Sequence, residues 1–291
     1  MNNMKQKNIT KHFDQPLALP IKKIITESSR VKTFVFDFDF PGEPGQFVMT
    51  WIPGFDEKPF GIIKKDNEGF MISVAAVGEA TKAMHLMEEG DLLGFRGPYG
   101  STFTIPSKGE IVAFVAGGYG MVPLSYLAQE ARKAEAEVHL FLGARNKDEL
   151  LFKAWMEEIG VELHSSTDDG SEGYKGFNTD LFQEHVVKRE ERKEKSFDRV
   201  YVVGPEIMEM KIAKTCYEYD IQFEVSLERY MKCGMGLCGQ CCVDPTGWRM
   251  CVEGPVLTGE KLQQVSEFGK YHRTGSGKIE KYPFADKIVK I

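Results

Sequence analysis

Five of the six cysteines in the chain, Cys233, Cys238, Cys241, Cys242 and Cys251, fall within nineteen residues, while Cys216 stands alone. Thiols bunched this tightly late in a long chain point to a metal centre, because a disulfide framework spreads its cysteines through a short secreted domain. Four residues separate Cys233 from Cys238, two separate Cys238 from Cys241, and nine separate Cys241 from Cys251. The first three match the C-x4-C-x2-C loop that holds a plant-type [2Fe–2S] cluster, leaving Cys251 as the fourth thiolate. Gly234, Gly236 and Gly239 allow a loop to wrap closely round a cluster and turn N–H groups towards its sulfurs. Structural zinc is the competing occupant, but it favours paired C-x2-C knuckles, and only one is present. Cys242, next to Cys241 in an extended loop, points away from a shared cluster and reads as a buried free thiol. Cys216 reads as a small core residue within a helix.

A second set of residues has the chemistry to hold phosphate. Gly117-Gly118-Tyr119-Gly120-Met121-Val122-Pro123 follows the apolar run Ile111–Ala116 and opens a helix, where dinucleotide phosphates meet free N–H groups, although the spacing is not G-x-G-x-x-G. Val77-Gly78-Glu79-Ala80-Thr81 also opens a helix and is legible either as a pyrophosphate cradle or as an ordinary threonine cap. Lys58-Pro59-Phe60-Gly61, taken alone, reads as a turn.

Elements with distinct periods must position these groups. At 291 residues the chain has room for two or three domains. From about Leu17 to Ile105 it alternates as β-strands, with Val31–Phe38, Gln46–Ile52, Phe70–Ala75 and Asp91–Phe95 divided by turn signals such as Pro41–Gly45 and Arg96–Gly100. One helix, Thr81–Glu89, interrupts a pattern that suggests a small barrel. At Glu110 the period changes. Strands at Ile111–Ala116, Val138–Leu142, Val161–Ser166, Val200–Val203 and Ile221–Val225 alternate with helices at Leu124–Lys133, Leu150–Ile159, from Thr179 and at Glu206–Tyr217, which predicts a doubly wound parallel sheet. The run Lys188–Lys195 reads as a solvated helix end. From Ser226 onward the periodicity fades. The expected division is a β-barrel domain at 1–107, an α/β nucleotide domain at 108–225, and a cluster domain with its tail at 226–291.

Composition narrows the function classes. With 37 Lys and Arg against 43 Asp and Glu, the net charge is −6 and the pI near 5.7. That argues against nucleic acid as the main partner. No apolar run reaches the ~20 residues a membrane span needs, the longest being broken by Gly117, Gly118 and Gly120. The opening MNNMKQKNITKHF lacks the apolar stretch of a signal peptide, so a cytoplasmic protein with no membrane partner is expected.

Taken together, the stretch Ser226–Cys241, with PGQF at Pro44–Phe47 and EFGKYHR at Glu267–Arg273, resembles the ferredoxin-reductase-type iron–sulfur flavoproteins over nearly the whole chain. Within them it is most similar to electron-transfer subunits of NAD-dependent dihydroorotate dehydrogenase. The small subunit of NADH-dependent ferredoxin–NADP oxidoreductase and the sulfide dehydrogenase flavin subunit share the architecture. The resemblance implies FAD, a [2Fe–2S] cluster held by Cys233, Cys238, Cys241 and Cys251, and NAD, with NADP the other possibility. It places the flavin at Lys58, Pro59, Phe60 and Gly61, where relatives carry Arg-x-Tyr-Ser. Here the lysine keeps the charge without the fork, the phenylalanine keeps the ring without the hydroxyl, and Gly61 offers no donor to the flavin N5. It places the pyrophosphate near Val77, Gly78 and Thr81. The nicotinamide nucleotide falls over Gly117, Gly118 and Gly120, near Asp168 in the third-strand loop and beneath Gly204-Pro205, where Val203 replaces the cysteine of many relatives. Arg145 stands where a 2′-phosphate would sit. No side chain is assigned a catalytic role. A separate catalytic flavoprotein subunit, an FMN dihydroorotate dehydrogenase, is the implied partner in a hetero-oligomer. The remaining alternatives are a subunit acting on ferredoxin and NADP or on sulfide, and a non-enzymatic zinc-bearing binding module.

Overall fold

The computed structural model describes residues 13–65 and 68–283. Strands β1 (Phe13–Pro20), β2 (Lys23–Thr26), β3 (Val31–Phe36), β4 (Phe47–Trp51), β5 (Glu57–Gly61), β6 (Ile63–Lys65), β7 (Gly69–Ala75) and β8 (Leu92–Tyr99) build the first lobe, with helix α1 (Glu79–Met84) before β8. The expected barrel takes the form of two antiparallel four-stranded sheets, ordered β1-β8-β4-β5 and β2-β3-β7-β6. Phenylalanine holds them together: the rings of Phe36, Phe40, Phe70 and Phe95 meet in stacked and edge-on contacts at 4.7–5.1 Å. The Lys58–Gly61 segment is strand rather than turn, with Pro59 opposite Met49. A proline is tolerated there because β5 is an edge strand, free of a second partner that would need its missing N–H. Helix α1 starts at Glu79 and ends at Met84, short of the expected Glu89. Beyond Met84 the chain tightens into turns (Leu86 N–H to Ala83 O, 3.0 Å; Met87 N–H to Met84 O, 3.1 Å), leaving Leu86 exposed.

The second lobe alternates β9 (Ile111–Gly117), α2 (Met121–Lys133), β10 (Glu137–Ala144), α3 (Lys153–Glu158), β11 (Glu162–Thr167), β12 (Tyr174–Lys175), α4 (Asn178–Glu191), β13 (Arg199–Val203), α5 (Glu206–Glu218) and β14 (Phe223–Ser226). The six strands are parallel in the order β12-β11-β10-β9-β13-β14. Val112–Ala116 is wholly buried, as a strand covered on both faces must be, and this is why it reads as one apolar run. Chain order reverses between β9 and β13, so their carboxyl ends form the crevice where such sheets bind ligands.

The last part of the chain contains short pieces that carry no periodic signal: β15 (Cys242–Val243), β16 (Trp248–Arg249), β17 (Val256–Thr258), α6 (Gly259–Leu262), β18 (Tyr271–Arg273) and β19 (Ile279–Lys281). Strand β17 pairs antiparallel with β14 and becomes the seventh strand of the second sheet. Ser101, after β8, fastens the same segment to the first lobe, its hydroxyl donating to Val256 O (2.9 Å) and accepting from Val256 N–H (3.0 Å).

A buried charge network completes the attachment. The Arg229 guanidinium donates to Glu206 at the start of α5 (2.6 Å) and to Glu267 (2.8 Å), all three nearly sealed from solvent. Glu206 also accepts from Gly269 N–H (2.6 Å) and Tyr282 Oη (2.9 Å), and Glu267 from Asp244 N–H (2.8 Å). Removing one member of such a group strands the others without compensation. Arg229→Ala should therefore lower stability by about 3–5 kcal/mol, read as a fall in the urea midpoint of the cofactor-loaded protein.

Candidate functional site

The cysteine loop is built from left-handed glycines. Gly234, Gly236 and Gly239 have φ of +71°, +79° and +68°, values that a side chain would resist. The turns they make aim N–H groups at sulfur: Gly236 N–H at Cys251 Sγ (3.2 Å), and Leu237 and Cys238 N–H at Cys233 Sγ (both 3.4 Å). Burial works against ionising Cys233, but the N–H groups of Cys238, Met235 and Leu237 outweigh it and bring the thiol down to about 7. Cys241 is pulled down to about 6, chiefly by its hydrogen bond with Cys251, whose own thiol is held up in return. Four thiols, two of them already biased towards thiolate, with donors aimed at sulfur, form a set that fits an iron–sulfur cluster. Cys233 and Cys238 lie towards solvent and Cys241 and Cys251 towards the core. Cys242 stands on β15, half-buried rather than buried, with its thiol raised by burial and by its neighbour Cys241. Cys216 is fully buried in α5 and its thiol is pushed far up by that burial.

One side chain that sequence reasoning missed fixes this loop to the first lobe. Arg96, read in the sequence only as part of a turn signal, sits near the end of β8 almost fully covered. Its Nε and Nη2 grip Glu57 (2.8 and 2.5 Å), its Nη1 donates to Tyr99 Oη (3.1 Å), and Nη2 also reaches Cys233 O (3.2 Å). Glu57 opens β5, so one guanidinium links the strand carrying Lys58–Gly61 to the first cysteine. A Cβ on Gly234 would strike Met49 on β4, which shows how closely the loop lies on that sheet.

Lys58, Pro59, Phe60 and Gly61 are half-buried along the open edge of β5, and Gly61 faces Pro123 of α2 with 3.8 Å between a Cβ there and the proline. This edge, bordered by both lobes, has an aromatic face in Phe60 and a cation in Lys58, which pairs with Asp56 (3.1 Å). These features suit a flavin. At α1 the Thr81 hydroxyl takes the N–H groups of Val77 (3.1 Å) and Gly78 (3.0 Å). The helix is capped at Gly78 rather than opening at Thr81, which is its third residue and reaches back to these N–H groups, so two of the donors expected to cradle pyrophosphate are used within the loop.

The Gly117–Gly120 and Gly204-Pro205 loops meet at the switch point. Gly117 and Gly204 lie against one another: a Cβ on Gly117 would stand 2.9 Å from Pro205 Cδ, and one on Gly204 would stand 3.2 Å from Gly117 Cα. A Cβ on Gly120 would run into the Val203 carbonyl, so only glycine fits. Asp168, held by its N–H on Ala144 O (3.1 Å), follows β11 at the same end of the sheet. Arg145 is engaged by Glu149 (2.8 and 2.9 Å). Glu209, wholly buried, accepts from Gly204 N–H (3.2 Å), and burial, reinforced by the charge of Glu206, holds its carboxyl well above the usual range. Glu206, which directly follows Pro205, joins the Gly204-Pro205 loop to the Arg229 network, another link that no sequence pattern announced.

Comparison with known proteins agrees with this geometry. Residues 228–263 match the model of the iron–sulfur cluster binding domain of dihydroorotate dehydrogenase B, and residues 114–214 match the oxidoreductase NAD-binding domain. A probable dihydroorotate dehydrogenase B (NAD(+)) electron transfer subunit of Methanocaldococcus jannaschii is 49% identical over 266 residues, covering 91% of this chain and 98% of the relative. The chain belongs to the family of dihydroorotate dehydrogenase B electron transfer subunits. A relative of the same description from Methanothermobacter thermautotrophicus is 45% identical, covering 90% of this chain and 96% of its own. Among solved structures, an NADH-dependent reduced ferredoxin–NADP oxidoreductase superposes with a TM-score of 0.72 at 29% identity, covering 86% of this chain and 93% of that one. The human Ncb5or CS-b5R domains, 16% identical with a TM-score of 0.60 over 74% of this chain and 69% of theirs, share the reductase fold. The family match to the cysteine segment favours iron–sulfur over the zinc alternative. Among the described residues no helix is long and apolar enough to cross a membrane.

The Arg96 clamp gives a direct test. Arg96→Ala leaves Glu57 without its partner in a largely enclosed place and frees the Cys233 carbonyl, at a cost of about 2–3 kcal/mol. The expected result is a lower thermal midpoint together with less iron retained per chain after gel filtration.

Proposed function

We propose that this chain is the electron transfer subunit of an NAD-linked dihydroorotate dehydrogenase, serving pyrimidine biosynthesis. It would work between a catalytic FMN subunit and NAD through a [2Fe–2S] cluster and FAD. Such groups supply two-electron hydride exchange at flavin and nicotinamide and one-electron exchange at the cluster. The observation that carries the reading is the Arg96 clamp, which joins the strand suited to flavin with the loop suited to iron.

The chain's own residues have distinct tasks in this reading. Cys233, Cys238, Cys241 and Cys251 hold the iron. Lys58 offers charge to the flavin phosphates, Phe60 a ring face, and Gly61 a backbone without a side chain beside Pro123 of α2. Gly117, Gly118, Gly120, Gly204 and Pro205 leave backbone within reach of the dinucleotide, and Asp168 borders the same crevice. Around the cysteine loop, Met235, Leu237 and Val252 are exposed, Leu237 by 81%. Together with Pro98 and Gly100 they line a shallow depression against Cys251. An apolar rim beside a redox centre suits a partner subunit. A second reading, the flavin subunit of a ferredoxin–NADP oxidoreductase, is favoured by the extent of the match to that solved structure.

Cys251→Ser tests the assignment. It replaces one thiolate by a harder oxygen ligand and should deplete the cluster while leaving the flavin and nucleotide residues untouched. NADH-driven reduction of a dye that takes electrons from flavin should persist, and transfer to the FMN subunit should collapse. Loss of both activities with FAD retained would show that the cluster is not a separate relay.

A further inference from the structure

Three histidines far apart in sequence come together in the second lobe. His139 lies on β10, His164 on the neighbouring β11 and His185 on α4, which covers that face of the sheet. One ring nitrogen from each falls within 4.8 Å of the others. The parallel register produces the group: His139 stands opposite Glu162 and Phe141 opposite His164, so His139, Phe141, Glu162 and His164 share a face. Phe141 and Phe197 pack round the rings.

The His139–His164 pair has the spacing of two ligands in one coordination shell. His139 Nδ1 and His164 Nε2 are 3.3 Å apart. Two ligands each 2.0–2.1 Å from a tetrahedral zinc ion stand about 3.3–3.4 Å from one another. The Glu162 carboxylate lies beside this pair, one oxygen 3.5 Å from His139 Nδ1 and the other 3.3 Å from His164 Nε2, within reach of an ion held by the rings. Behind His139, Nε2 lies 2.9 Å from the Glu137 carboxylate. That contact assigns the proton to Nε2 and leaves the Nδ1 lone pair facing the group, the carboxylate–histidine arrangement that orients metal ligands. We propose that His139, His164, His185 and Glu162 form a binding site for a divalent transition metal of the zinc class, separate from the cysteine loop.

Electrostatics supports the geometry. Burial, then the neighbouring rings of His185 and His139, push His164 down to about 4, and burial lowers His185. Both are therefore neutral near pH 7, the form that coordinates metal. The carboxylates of Glu137 and Glu162 offset a dication, while Lys188 and Arg189 oppose it from α4. Imidazole suits zinc and its neighbours copper, nickel and iron. The group sits near the amino-terminal edge of the sheet. The nucleotide loops are at the carboxyl edge, about 13–17 Å away along β10 and β11 at ~3.3 Å per residue. A metal here would pin β10, β11 and α4 together without touching the electron path.

Zinc itself is the probe, used on protein already loaded with iron and flavin so that the cysteines are occupied. After equilibration and desalting, the expected result is one zinc per chain with iron unchanged, and a zinc-edge X-ray absorption spectrum showing only nitrogen and oxygen neighbours. His164→Gln and His185→Gln should each abolish zinc retention, and Glu162→Gln, at a more exposed position, should weaken it about 10-fold or more. All three should keep their iron and flavin, which separates loss of the site from loss of the fold. Sulfur in the zinc shell, the same zinc uptake in both histidine variants, or no stoichiometric zinc on the wild-type protein would overturn the proposal. The spectrum of the unaltered protein decides the question even where a variant fails to fold.

Discussion

The structure depends most on one buried guanidinium. Arg229 stands a few residues ahead of the cysteine loop and reaches both Glu206, at the start of the helix after Gly204-Pro205, and Glu267, close to the chain's last strands. Burying three charges is unfavourable unless every oxygen and proton is satisfied, and here backbone N–H groups of Asp244 and Gly269 and the Tyr282 hydroxyl supply the remaining partners. The network therefore forms only when the end of the chain, the cysteine segment and the nucleotide lobe are all in place. It links correct folding of the metal loop to correct placement of the nucleotide loop. Arg96 plays the matching part on the other side, between the cysteine loop and the edge strand of the first lobe.

Much of this architecture was legible because strong patterns have strong physical causes. A strand buried on both faces has to be apolar throughout, so Ile111–Ala116 and the glycine loop after it could be read directly, as could the cysteine spacing. Other features were hidden by the same logic. Lys58–Gly61 contains a proline and reads as a turn, since only the edge position of its strand makes the proline harmless. Helix α1 runs shorter than its apolar spacing suggests, because tight turns carry the same periodicity for a few residues. The short strands after Ser226 are held by side-chain ion pairs and by pairing with other parts of the chain, neither of which leaves a local period.

The residues that were missed share one property: they act through partners remote in sequence. Arg96 meets Cys233, Arg229 meets Glu267, and His139 meets His164 only because of parallel strand register. A single side chain of this kind looks like a turn signal or a surface charge until the fold brings its partner to it. The sheet also divides its chemistry between its ends, with glycine loops at the carboxyl edge and imidazoles near the amino edge.

Strand β17 has a consequence for how electrons can be timed. Because the segment after Cys251 is woven into the nucleotide sheet through β14 and stitched to the first lobe through Ser101, the cysteine loop is anchored to both lobes. Some redox chains carry their centre on a swinging arm that shuttles between donor and acceptor. Here the cysteine loop is built into the body of the fold, so in the proposed role any gating of the current would come from nucleotide binding or from the arrival and departure of the partner.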